Sequence, residues 1–199
     1  MSSSPSQAMY EKLLQQLNQL VPLNPQQQRE LYRAVRSETL PKGSILLSQG
    51  EIANDLYFVA AGIIRSFCHL NEKEVTRWFG TEGSFCTSYF SFTYRQPSED
   101  SLVLVTDCEL LSISCEGLQN LFHTDSAWID LSRRLLEHYY THLLERVMSF
   151  QTQSTAERYN SFLQEYSGIA DQIALGHLAS YLGMTQETLS RLRARRKKR

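Results

Sequence analysis

The chain has 199 residues, 42% apolar and 21% charged, which suits one large domain or two small ones and excludes wholesale disorder or a collagen-like fibre. No apolar run approaches the roughly 20 residues that span a bilayer. The polar start, Met-Ser-Ser-Ser-Pro-Ser-Gln, lacks an apolar signal core, so a cytoplasmic protein without membrane contact is expected.

The net charge of −1 hides an asymmetry. The last nine residues hold seven bases and no acid, leaving 13 bases against 21 acids in residues 1–190, a net of −8. An acidic body with a basic end points to a local polyanion contact or, more simply, to a solvated terminus.

In chain order, Tyr10, Leu13, Leu14, Leu17 and Leu20 recur at helical spacing. Asn24 then stands as an N-cap before Pro25, and Leu31 and Val35 carry a second helix over Gln26 to Arg36. Six of the nine glycines fall between Gly43 and Gly117. They punctuate short β-branched and aromatic runs at 45–47, 56–59, 63–67, 75–79, 102–105 and 110–113. Many short strands between turn signals predict a sandwich, jelly roll or barrel. Cys68, Cys86, Cys108 and Cys115 form no C-x-x-C pair and read as reduced thiols in or near the core.

The longest helical pattern follows, from about Ser126 to Gln151. Leu131, Leu135, Tyr139, Leu143, Val147 and Phe150 repeat every three or four residues, uninterrupted by Gly or Pro. At 1.5 Å per residue such a helix is roughly 39 Å long, too long for one small domain to cover, so its stripe is expected to pair with a second copy of the chain. Ser154-Thr-Ala-Glu157 fits a capping box that opens another helix. The expected domains are therefore residues 1–125, the helix 126–150, and residues 151–199.

Residues 171–193 have the layout of a helix-turn-helix. A short helix spans about Leu175 to Leu182, and Ala179 is small enough for close crossing. Gly183 supplies the turn, and Thr185 caps a second helix running from Gln186 to about Arg195. Ile173, Leu178, Leu182, Leu189 and Leu192 make the core between them. The outer face carries Gln186, Glu187, Ser190 and Arg191, groups that pair with base edges. Thr185, Arg193, Arg195, Arg196, Lys197, Lys198 and Arg199 are the phosphate-binding candidates. The bland alternative is an ordinary helical hairpin with its polar side outward. His177 has Tyr181 four residues on and so lacks a metal-ligand partner there.

On these residues the chain resembles the Crp/Fnr family of bacterial transcription regulators. Lys42-Gly-Ser-Ile-Leu-Leu-Ser-Gln-Gly50 and Leu56-Tyr-Phe-Val-Ala-Ala-Gly62-Ile-Ile-Arg65 are similar to the glycine-framed strands of its cyclic-nucleotide-binding-type barrel. Leu178-Ala-Ser-Tyr-Leu-Gly183-Met-Thr-Gln-Glu-Thr-Leu-Ser-Arg191 resembles its DNA-binding element. The resemblance implies an α+β fold: an antiparallel, jelly-roll-like β-roll with flanking helices, a long dimerisation helix and a C-terminal helix-turn-helix domain. It implies a homodimer on palindromic duplex DNA, with Gln186, Glu187 and Arg191 at base-reading positions. It further implies a contact with RNA polymerase and a small-molecule effector not identified by the residues.

The cyclic-AMP cassette of the family, Gly-Glu and then Arg-Ser/Thr-Ala, is replaced here. Its positions hold Thr87 and Ser88, then Ser98, Glu99 and Asp100. An anionic phosphate without its cation is costly to bury, so cyclic-AMP binding is expected to be lost. Arg77, Phe85, Ser88, Arg95 and Ser98 are the candidate effector-pocket residues. The first cysteine, Cys68, comes too late for an N-terminal iron–sulfur cluster, and no cofactor or metal is expected. Eight residues follow Arg191, too few for a β-hairpin wing after the second helix, so the basic run is expected to take over its phosphate contacts. The competing reading is a small-molecule sensor that signals through a protein partner. An enzyme is not expected, because only His69 precedes His123 in the barrel region and no nucleophile–base pair stands out.

Overall fold

Two amphipathic helices open the chain, and each has a legible local cause. In α1 (Gln7–Leu20) the buried residues Met9, Tyr10, Leu13 and Leu17 lie on one face. In α2 (Pro25–Ala34) the Asn24 side chain accepts from the Gln26 and Gln27 amides, and Gln27 returns the bond to the Asn24 amide. Proline at the first helical position forfeits no hydrogen bond there.

The computed structural model describes residues 6–166 and 168–197. By its internal contacts the chain divides into two units. One comprises residues up to Ser66 with Phe79–His138, and the other Phe67–Trp78 with the chain from Tyr139 onward.

Among the described residues eight strands follow α2: β1 (Arg36–Leu40), β2 (Ile45–Leu47), β3 (Asp55–Ala61), β4 (Ile64–Leu70), β5 (Lys73–Gly80), β6 (Phe85–Cys86), β7 (Ser101–Leu104) and β8 (Cys108–Ser114). They form two four-stranded sheets, ordered β1-β8-β3-β6 and β2-β7-β4-β5. In the first sheet β8 pairs antiparallel with both β1 and β3, with Leu56 opposite Ile113 and Phe58 opposite Leu111.

Alternation along β3 and β8 sorts two cores within the first unit. Phe58, Ala60, Leu111 and Ile113 pack with Leu13, Leu17 and Leu31 of the two helices. Val59, Leu110 and Cys108 face the other way, with Ile64, Leu102 and Leu104 of the second sheet. The first sheet is thus covered on both faces.

Four elements carry no pattern legible in the sequence. Strand β1 reads Arg-Ser-Glu-Thr-Leu and has no buried residue, because it is an edge strand held by β8 alone. Strand β6 has two residues. Between β6 and β7 lies the short helix α3 (Tyr89–Tyr94), and after β8 comes α4 (Cys115–Thr124), capped by the Ser114 hydroxyl on the Gly117 amide. At the end of α4, Asp125 accepts from the Ala127 amide at 2.9 Å and from Gln27 Nε2 at 2.8 Å. These bonds, the backbone one foremost, hold its carboxyl below the usual range.

Helix α5 (Ala127–Thr152) is the long helix expected. Helix α6 (Thr155–Glu165) opens with the Ser154–Glu157 capping box in place. Two further helices, α7 (Leu175–Tyr181) and α8 (Gln186–Lys197), complete the described chain.

Candidate nucleic-acid interface and sensor region

The α7–α8 pair is built as its residues dictate. Leu178 and Leu189 are fully buried, with Ala179, Leu182 and Ile173 around them. Gly183 turns the chain at φ +65°, and a Cβ there would lie 2.6 Å from the Phe150 ring. Both the dihedral and the close approach favour glycine. Thr185 accepts the Thr188 amide at 3.2 Å, which caps α8.

Two arginines hold the end of α7. Arg158 Nε donates to the Leu182 carbonyl at 3.0 Å, and its Nη1 to the Gln153 carbonyl at 2.7 Å. Arg146 donates to the Tyr181 carbonyl at 3.3 Å and lies 4.3 Å over the Tyr181 ring. Terminal carbonyls lack helical donors and carry the negative end of the helix dipole, so cations suit them. Burial pushes the Arg146 guanidinium pKa down from its usual value. Neither arginine stands out in the sequence, since a carbonyl-binding guanidinium leaves no periodic signal.

A hairpin packs against this same helix. Asn71 and Glu72, both at positive φ, form the turn between β4 and β5. The Thr76 amide donates to Ser180 Oγ at 3.0 Å. His177 Nε2 lies 3.7 Å from Glu74 Oε2, and Arg146 also donates to the Arg77 carbonyl. His177 therefore sits beside a carboxylate on the hairpin.

Along α8, Gln186, Glu187, Ser190 and Arg191 are all exposed on one face, continued by Ala194 and Arg195. Thr185 and Arg196 are exposed as well. Arg193 points elsewhere: its Nη2 donates to the Ala170 carbonyl at 2.8 Å, and its Nε is buried. It ties α8 to the turn before α7. Lys197 ends α8, while Lys198 and Arg199 lie outside the described residues.

The α5 stripe divides. Leu131 is buried in the core of the first unit and Leu135 is half-buried at its edge. Tyr139 stacks edge-on with Trp78, and the Phe150 ring lies between Gly183 and Arg158. The large apolar residues of α5 left exposed within the chain are Ile129, Leu136, Tyr140, Leu143, Leu144, Val147, Met148 and Phe150. Leu143 and Val147 thus belong to a stripe offset from the one read along the sequence.

The sensor candidates do not come together as one set. Arg77 falls in the second unit. Phe85 packs on Phe58, ring centroids 5.1 Å apart, facing the helices. Ser88 and Ser98 do meet: both are buried, with hydroxyl oxygens 2.8 Å apart, and Ser98 Oγ accepts the Asp100 amide at 3.0 Å. Arg95, at φ +55°, donates to the Ala53 carbonyl and to Asn54 Oδ1. The cassette positions therefore hold a closed pair of hydroxyls, and the nearby guanidinium is spent on the chain itself.

Residues 37–125 match the cyclic nucleotide-binding domain family. The match runs from β1 through both sheets to the end of α4. A comparison with curated proteins finds no match. Among solved structures the chain is similar to one described as a Crp/Fnr-family transcriptional regulator from Eubacterium rectale, at 19% identity and TM-score 0.67, covering 85% of this chain and 82% of that one. It is similar to the c-di-GMP-responsive global regulator CLP of Xanthomonas campestris, at 20% identity and TM-score 0.66, covering 88% and 92%. It is also similar to FixK2 of Bradyrhizobium japonicum, at 19% identity and TM-score 0.67, covering 81% and 83%. At these identities the likeness is one of fold, and it extends well beyond the cyclic nucleotide-binding-type region.

Proposed function

We propose that this chain is a DNA-binding transcription regulator that acts as a homodimer on a palindromic site. The observation that carries the reading is the exposed face of α8. Gln186, Glu187, Ser190 and Arg191 stand together on a helix whose other face is anchored by Leu189 and Arg193. A rigidly seated helix with base-pairing groups outward is the working part of a helix-turn-helix. Arg195 and Arg196, both exposed and two and three residues beyond the anchoring Arg193, suit flanking phosphates. The fold likeness to transcription regulators supports the same reading.

The sensor region does not fit cyclic AMP in the family's manner. A buried cyclic phosphate needs a cation, and Ser98, Glu99 and Asp100 supply none. An effector of this regulator therefore has different chemistry.

The test is binding of the full chain to palindromic and scrambled duplexes across a salt series. The palindrome is expected to bind at least about 10³-fold more tightly, with affinity falling steeply as salt rises. Arg191→Ala is expected to cost about 1–3 kcal/mol on the palindrome and little on the scrambled duplex. Added cyclic AMP leaves both affinities unchanged. Equal affinity for the two duplexes would overturn the reading.

A further inference from the structure

A cavity of about 70 Å³ lies inside the first unit, between the helices and the first sheet. Leu17 of α1, Phe58 of β3, Leu111 of β8 and Phe85 of β6 form part of its wall, and the start of α5 lines it as well. The lining is apolar apart from Ser112 and Ser132. The Ser112 hydroxyl donates to Glu38 at 3.3 Å, and the Trp128 indole N–H is directed to Glu30 at 3.4 Å. The Ser112 hydroxyl and the Trp128 indole are thus engaged with carboxylates, which leaves the single Ser132 hydroxyl as the polar group on the wall.

A buried water needs two to four polar partners, and this wall does not supply them. A charged or strongly polar ligand would lose its solvation there without compensation. An apolar molecule gains dispersion contacts with the surrounding aliphatic and aromatic side chains. An apolar protein cavity of about 150 Å³ takes up benzene or xenon, so a space near half that size suits something smaller than benzene. We propose that this cavity is a binding site for a small, uncharged, apolar molecule, of the size of xenon or a short hydrocarbon.

The site bears on the long helix. Leu131, Ser132 and Leu135 of α5 all line it, so an occupant touches α5 and the first sheet at once. Its occupancy adds contacts that hold the start of α5 to the sheet. The inference is independent of the DNA-binding reading, because every lining residue belongs to the first unit.

Xenon is the probe, and the methyl NMR spectrum of the full chain is the readout. Raising the xenon pressure is expected to shift the methyls of Leu17, Leu111, Leu131 and Leu135 saturably. Those of Leu178 and Leu189, in the core between α7 and α8, stay in place. Ser132→Leu fills the cavity from α5, and Leu118→Phe fills it from α4. In whichever variant keeps the wild-type thermal midpoint or exceeds it, the saturable shifts are expected to be lost. Shifts that are unsaturable and spread over the whole molecule would overturn the proposal. So would a saturable response that survives in a folded filling variant.

Discussion

A methyl group on Gly80 would lie 2.1 Å from the sulfur of Cys86, while the next nearest side-chain atoms are 3.8 Å away. The contact sets a sharp expectation. Gly80→Ala overpacks the core and costs about 1–3 kcal/mol. Cys86→Ala, destabilising by itself, becomes stabilising in the Gly80→Ala background because it removes the clashing sulfur. Urea unfolding of the four members of this cycle measures the sign change. Burial also pushes the Cys86 thiol up to about 12, so this cysteine packs and does not react. In the sequence Gly80 reads only as strand punctuation, since the sulfur six residues on is brought back by the β5–β6 connection. The arginines teach the same lesson. Arg146 and Arg158 do not stand out in the sequence and Arg193 reads there as a phosphate-binding candidate, yet each spends its guanidinium on backbone carbonyls. The partners are backbone atoms of other elements, which leave no side-chain signature.

Elements with a local cause were the legible ones. The Asn24 cap before Pro25 and the Ser154–Glu157 capping box sit at the helix starts expected of them, and the first proves to be a full box with Gln27. The second one has a pH signature. The Ser154 hydroxyl, and then its amide, hold the Glu157 carboxyl below its ordinary value of 4.5. A folded pKa below the unfolded one means stability that is present above pH 4.5 and lost as pH falls through the folded value. Glu157→Gln keeps an acceptor for the Ser154 amide but does not titrate. The variant is therefore expected to lose less thermal stability than the wild type between about pH 5 and pH 3. Equal losses in parallel melts would refute the assignment. Strand β1 and helix α4 were illegible for the opposite reason. An edge strand with no buried residue has no apolar alternation to read, and α4 is a short helix whose cap, Ser114, is also the last residue of β8.

At the scale of the whole molecule, α5 carries the proposed dimer. Its exposed stripe includes Leu136, Tyr140, Leu143 and Val147, spaced four, three and four residues apart. Leu143 is 54% exposed within the chain, so Leu143→Glu is expected to leave the fold intact. It is expected to convert a dimer to a monomer in sedimentation equilibrium and to weaken binding to the palindrome. A variant that remains dimeric would show that the subunits meet elsewhere. The sequence by itself determined the order of parts: two amphipathic helices, the second one capped, then glycine-framed strands, a long uninterrupted helix and a final helix pair with a basic end. Those features depend on neighbours within a few residues, through periodicity, caps and turns. Only the tertiary structure decided which face of α5 is left exposed, because Leu131 and Leu135 are claimed by a core formed from α1, α2 and the first sheet. It also decided that the hairpin 67–78 groups with the chain beyond Tyr139, and that Ser88 and Ser98 close on one another. Each of these depends on contacts between residues far apart in the chain, which local spacing does not encode.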